Sequence, residues 1–178
     1  MNQREIDEWH EKVHNKGFRF LIRDDIEEII KEEHIDRTRF HEFSKINYEK
    51  IIKKFFYAFS DIKNHFSSQI SPPNHLMNFR PELQAEKIDN FFRTSNWSEY
   101  LKSIRNAVPD FEKKLFLILC EGWVYEGYIN EMFNVLRNIT YITDFYIVSN
   151  KFDWFIAVND MEDYAAIYKD KFHFGITN

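Results

Sequence analysis

His10-Glu11-Lys12-Val13-His14 is the sharpest run in this chain whose residue types and spacing could assemble a reaction centre. On a helix, imidazoles four positions apart share a face and can hold Zn²⁺, and the Glu between them can serve as general base on a metal-bound water. Read this way, the chain is a zinc-dependent hydrolase with His10 and His14 as ligands and Glu11 as base. Against this, no third ligand is marked, although Glu27, Glu28, Glu32, Glu33 and His34 follow nearby. Lys12 puts a charge in the middle of the run. Ile6, Trp9 and Val13 already define the apolar face of the same helix, with His10 flanking it. The expectation is therefore no metal, no cofactor and no catalytic residue, with the zinc hydrolase as the alternative.

Other chemistries are excluded by scarcity. The chain has 178 residues but only four Gly. Gly17, Gly122, Gly127 and Gly175 are too dispersed to form a phosphate-cradling loop, which needs backbone where a Cβ would clash. Cys120 is the single cysteine, so it forms no internal disulfide and no Cys-based zinc cluster. It ends the run Leu115-Phe116-Leu117-Ile118-Leu119 and reads as a buried apolar residue. The remaining histidines show no metal spacing, and no Gly-x-Ser-x-Gly elbow is present.

Two carboxylates inside aromatic runs are better candidates for a site. Glu121 precedes Gly122-Trp123, and Asp153 lies between Phe152 and Trp154. As part of a strand, Asp153 would share a face with Phe155 and Ala157. Residues 115–178 carry four basic and nine acidic side chains, net −5, which is the net charge of the whole chain. That distribution excludes nucleic acid as the partner of this half and suits a basic protein. Tyr and Trp among acids suit a recognition surface. Glu121, Trp123, Tyr125, Asp153, Trp154 and Asp160 are the expected partner-binding residues.

The elements that must position these residues can be read from periodicity. Helices are expected over about 3–15, then about 25–34 behind an Asp24/Glu27 capping box, and about 47–65. In the last of these, Tyr48, Ile51, Ile52, Phe55, Phe56, Phe59, Ile62 and Phe66 form a core stripe with Lys50, Lys53, Lys54 and Lys63 mainly off it. A short strand is expected over 18–22. Residues 67–81 carry Pro72-Pro73 and form a long loop. Further helices are expected over about 82–93 and from Trp97 to Ile104, the latter capped by Ser95 or Asn96. Leu115 to Cys120 reads as a strand covered on both faces. A helix over about 126–138 follows, then strands at 144–149 and 152–158 joined as a hairpin, and a third at 164–168.

The fold class is therefore α+β in a single domain, with a helical part over about 1–110 followed by a strand-helix-strand-strand-strand, mostly antiparallel sheet over about 111–178. With 19 Phe, 9 Tyr and 4 Trp, the chain is rich in aromatics, most of which fall on these core stripes. An acidic, polar N-terminus lacks the pattern of a signal peptide, and no apolar run suffices to span a bilayer. A cytoplasmic protein with no membrane partner is expected.

The stretch from Asp144-Phe145-Tyr146-Ile147-Val148-Ser149 through Phe152-Asp153-Trp154-Phe155 to Asn159-Asp160 resembles the ends of small uncharacterised bacterial proteins of the toxin-immunity type. The resemblance implies a non-enzymatic binding protein that neutralises a toxin domain, here a basic one.

Overall fold

The computed structural model describes residues 23–61, 79–90, 96–119, 122–139, 142, 144–159 and 164–170. The expected helix over 3–15, the strand over 18–22, most of the loop over 67–81, and Cys120 lie outside them.

The chain is α+β. In order, its elements are α1 (Asp24–Glu32), β1 (Phe40–Glu42), α2 (Tyr48–Phe59), β2 (Leu83–Asn90), α3 (Trp97–Asn106), β3 (Leu115–Leu119), β4 (Val124–Gly127), α4 (Ile129–Asn138), β5 (Phe145–Ser149), β6 (Trp154–Asn159) and β7 (Tyr164–Asp170), with a 3₁₀ turn at Lys45–Asn47 before α2. The strands form one seven-stranded sheet in the order β1-β4-β3-β5-β6-β7-β2. Every pair is antiparallel.

Cross-strand partners share a face, so the register divides the sheet into two surfaces. One carries Phe116, Ile118, Tyr146, Val148, Phe155 and Tyr168. Helix α2 lies on it: Phe55 meets Tyr146 and Phe155 with ring centroids 5.0 and 5.2 Å apart, and Phe59 meets Phe155 at 4.5 Å. The other face carries Leu115, Leu117, Phe145, Ile147, Ile156 and Ile167, all buried. Helix α4 packs against both α1 and α3, and Ile26, Leu101 and Met132 are buried in the same core as that face. The indole N–H of Trp97 donates to the carbonyl of Leu136 at 2.9 Å and ties α3 to α4.

Several expected elements are corrected. Residues 83–90 form a strand, β2, where a helix over 82–93 was expected. Gln84, Ala85, Glu86 and Lys87 favour a helix locally, but pairing along β7 overrides that weak preference. Helix α2 stops at Phe59 because Ser60 is extended and bridges to Phe79. Asp24 is not a cap: Arg23 occupies the N-cap position and makes no side-chain capping bond. Asn96 does cap α3, its Oδ1 accepting from the Glu99 N–H at 3.2 Å.

Helix α4 starts at Ile129, after a strand β4 that the expected helix over 126–138 had absorbed. Gly127 explains why β4 can be paired on both sides. A Cβ there would lie 2.4 Å from the Arg39 carbonyl and 2.9 Å from the Phe40 Cα, so β1 could not approach a side-chain-bearing residue.

Candidate functional site

Trp123 and Tyr125 were expected on a partner surface, and both are buried. Side chains from the first part of the chain cover them: Phe40 lies on Tyr125 and Arg23 on Trp123, which precedes β4. Tyr125 stacks on Phe40 with centroids 5.3 Å apart. The Arg23 guanidinium, only 2% exposed, sits 5.4 Å from the centre of the Trp123 ring and donates to both carboxylate oxygens of Asp25, at 2.8 and 2.6 Å. The Tyr48 hydroxyl donates to Glu42. Among the described residues, the buried Tyr125 hydroxyl has no hydrogen-bond partner. Burial raises the pKa of both phenols, and at Tyr48 the bond to Glu42 raises it further. This array closes the β1 end of the sheet, and a partner cannot reach Trp123 or Tyr125.

Asp153 lies in the turn before β6, not within a strand, and is engaged by Ser149. Trp154 opens β6 opposite Lys169 and is half-buried. Strands β3 and β5 separate this pair of residues from β4, so the structure does not bring Trp123, Tyr125, Asp153 and Trp154 together. Glu121 and Asp160 lie outside the described residues, as do His10, Glu11 and His14. Among the described residues, no group of three or more His, Cys, Asp or Glu is placed to hold a metal ion.

Three of the five described acids in residues 115–178 are met by basic side chains from the first two thirds. Glu131 bonds Arg39 at 2.5 Å, Asp170 bonds Arg80 at 3.1 Å, and Glu126 has His41 and Lys114 at 3.6 and 3.5 Å. A charge imbalance along the sequence is thus largely cancelled in space at these positions.

The large apolar side chains exposed among the described residues are Tyr57, on the outer side of α2, and Ile46, in the turn that precedes it. Ile46 is 91% and Tyr57 69% exposed. Steps of three and four residues put Lys50, Lys53, Lys54 and Tyr57 on one stripe of α2, and Ile46 stands in the 3₁₀ turn just before it. The stripe lines a shallow groove of about 720 Å³ with Glu49 and Ala58. Lys53 pairs with Glu49, and the Lys54 ammonium lies 5.7 Å from the Phe152 ring centre. The signal for this surface was present in the sequence: Ile46 and Tyr57 are apolar residues off the core stripe, among the lysines.

Residues 19–174 match a family of unknown function (DUF6756), and the chain belongs to that family. No curated protein and no solved structure matches the chain. Among the described residues, no helix is long and apolar enough to cross a membrane.

Proposed function

We propose that this member of a family of unknown function is a non-enzymatic binding protein that docks a protein partner on the outer side of α2. One observation carries the reading: Ile46 and Tyr57 stand exposed at the two ends of a stripe of lysines. An exposed Tyr offers large rigid contact area and a hydroxyl, the usual make-up of an interface anchor. Lys50, Lys53 and Lys54 against Glu49 leave this stripe positive, so the complementary partner surface is acidic. Three lysines offset by one glutamate are too few for the phosphate contacts that hold nucleic acid.

Neutralisation of a toxin domain, the role suggested by the resemblance of the C-terminal stretch, is one form of this reading. The partner on this face is an acidic domain, whereas the charge of residues 115–178 suggested a basic one. Pairing of Glu126, Glu131 and Asp170 with bases removes those acids from a basic partner's reach.

The test uses the purified products of adjacent genes, mixed with this protein and followed by size-exclusion chromatography and calorimetry. An acidic product is expected to co-elute. Tyr57→Ala, and Lys50→Glu with Lys54→Glu, are expected to weaken the complex roughly tenfold or more without altering the thermal midpoint. A complex indifferent to all three substitutions rejects this face, and a basic partner sensitive to Asp153→Ala would reinstate the C-terminal surface.

A further inference from the structure

A second groove lies between α3 and α4, apart from the α2 surface. Its volume is about 380 Å³, and it is lined by Lys102, Arg105 and Asn106 from α3 and by Asn130, Phe133 and Asn134 from α4. The spacing is i, i+3, i+4 on both helices, so each set forms one face. The lining holds two cations, three carboxamides and one aromatic ring, with no carboxylate.

Arg105 is held in place before any ligand arrives. Its Nε donates to the Asn130 Oδ1 at 2.7 Å, and its guanidinium lies 5.0 Å from the Phe111 ring centre. Among the described residues, no protein acceptor meets its two terminal nitrogens. A guanidinium fixed at Nε and stacked on a ring presents a planar fork that matches an oxyanion bidentately. Little side-chain entropy remains to be lost on binding. Lys102 stands one turn away, resting on Glu99 at 2.5 Å in an exposed pair that a bound anion can replace. Phe133 is half-buried and offers part of its ring. The carboxamides of Asn106, Asn130 and Asn134 supply both donors and acceptors.

We propose that this groove binds a small anion of mononucleotide size, an oxyanion joined to a planar ring, with Arg105 and Lys102 on the oxyanion and Phe133 against the ring. The volume lies at the lower end of small-ligand sites, about 300–1,000 Å³, which suits one such molecule and not a protein surface.

The test is an amide-resonance titration of the full chain with AMP, benzoate, adenosine and inorganic phosphate. AMP and benzoate distinguish a phosphate from a carboxylate as the oxyanion. Saturable shifts at residues 102–106 and 130–134 are expected for at least one of them. Adenosine and phosphate, each lacking one half of the ligand, are expected to bind at least about tenfold more weakly. Arg105→Gln is expected to weaken binding roughly tenfold to a hundredfold. Lys102→Ala, an exposed position that leaves the fold intact, is expected to weaken it less and to flatten its salt dependence. Absence of shifts at about 10 mM ligand, phosphate binding as tightly as AMP and benzoate, or binding unchanged in both variants overturns the assignment.

Discussion

The hydroxyl of Ser149 engages Asp153 twice: it accepts from the Asp153 backbone N–H at 3.1 Å and donates to the Asp153 carboxylate. The carboxylate singled out by its aromatic neighbours is therefore part of the β5–β6 turn, and its main acceptor capacity is directed inward. Ser149 itself is buried. Ser149→Ala removes both bonds and leaves the Asp153 groups to find water in a half-buried place. A loss of about 1–2 kcal/mol is expected, or roughly 2–8 °C in thermal midpoint for a chain of this size. Asp153→Ala is expected to lower stability while leaving partner affinity unchanged. Urea unfolding with calorimetry checks both; an Asp153→Ala protein of normal stability but lost binding would return this residue to the interface.

The same turn contains a second oddity, which its sister hairpin explains. In the β3–β4 hairpin the Gly122 N–H donates to the Leu119 carbonyl at 2.9 Å, with Gly122 at φ 101°. In the β5–β6 hairpin the Phe152 N–H donates to the Ser149 carbonyl at 3.0 Å, with Phe152 at φ 56°. Each is the third residue after the last one of the first strand, and each takes left-handed backbone. Glycine takes it freely, whereas phenylalanine is strained there by roughly 1–2 kcal/mol. The ring is held by stacking on Phe116 at 5.8 Å and by Lys54 on its other contact. Phe152→Ala keeps the strain and loses the ring; Phe152→Gly loses both. The glycine variant is thus expected to be the more stable of the two by about 1 kcal/mol, the reverse of the order in ordinary backbone. Equal denaturant midpoints would show that the left-handed backbone costs nothing here.

How much of this was legible in the sequence follows from where the signal resides. The α2 stripe, the all-apolar β3 and the β5–β6 hairpin are patterns within one segment, so periodicity revealed them. Strand β2 could not be read, since Gln84 to Lys87 favour a helix and only the distant β7 makes them a strand. Strand β1 is three residues long and exists because Gly127 admits it. Two of the expected partner-binding residues, Trp123 and Tyr125, are buried for a related reason. Trp123 and Tyr125 look like recognition residues by type, but the side chains that cover them, Arg23 and Phe40, come from more than 80 positions away. The charge argument ignored the bases that meet Glu131 and Asp170 across similar distances in the sequence.

His34 offers a cleaner test of left-handed backbone. It follows the end of α1 at φ 52°. The Ile35 N–H donates to the Ile30 carbonyl at 2.9 Å and the His34 N–H to the Lys31 carbonyl at 3.3 Å. These two bonds define a Schellman motif, whose left-handed residue is most often glycine. The His34 side chain is exposed, so little packing is lost on its removal. His34→Gly is expected to raise stability by about 0.5–1 kcal/mol, read as a higher urea midpoint at unchanged slope. A lower midpoint would mean that the imidazole itself supports the helix end.

Tyr48 and Tyr125 should respond oppositely to loss of their hydroxyls. Among the described residues the buried Tyr125 hydroxyl has no partner, a penalty of about 1–3 kcal/mol for such a group. Tyr125→Phe retains the stacking on Phe40 and is expected to stabilise the protein by about 1 kcal/mol. The Tyr48 hydroxyl donates to Glu42, so Tyr48→Phe leaves that carboxylate short of a donor and is expected to destabilise by about 1–2 kcal/mol. Both phenols have pKa values raised in the folded state. The unfolded chain releases their protons near the ordinary value of about 10, while the folded chain retains them. The unfolded state then binds fewer protons, so stability is fully present below pH ~10 and declines above it. Tyr125→Phe should make that alkaline decline shallower. Denaturation midpoints measured across this range test both signs; a Tyr125→Phe protein that loses stability at neutral pH would reveal a hydrogen bond to the Tyr125 hydroxyl.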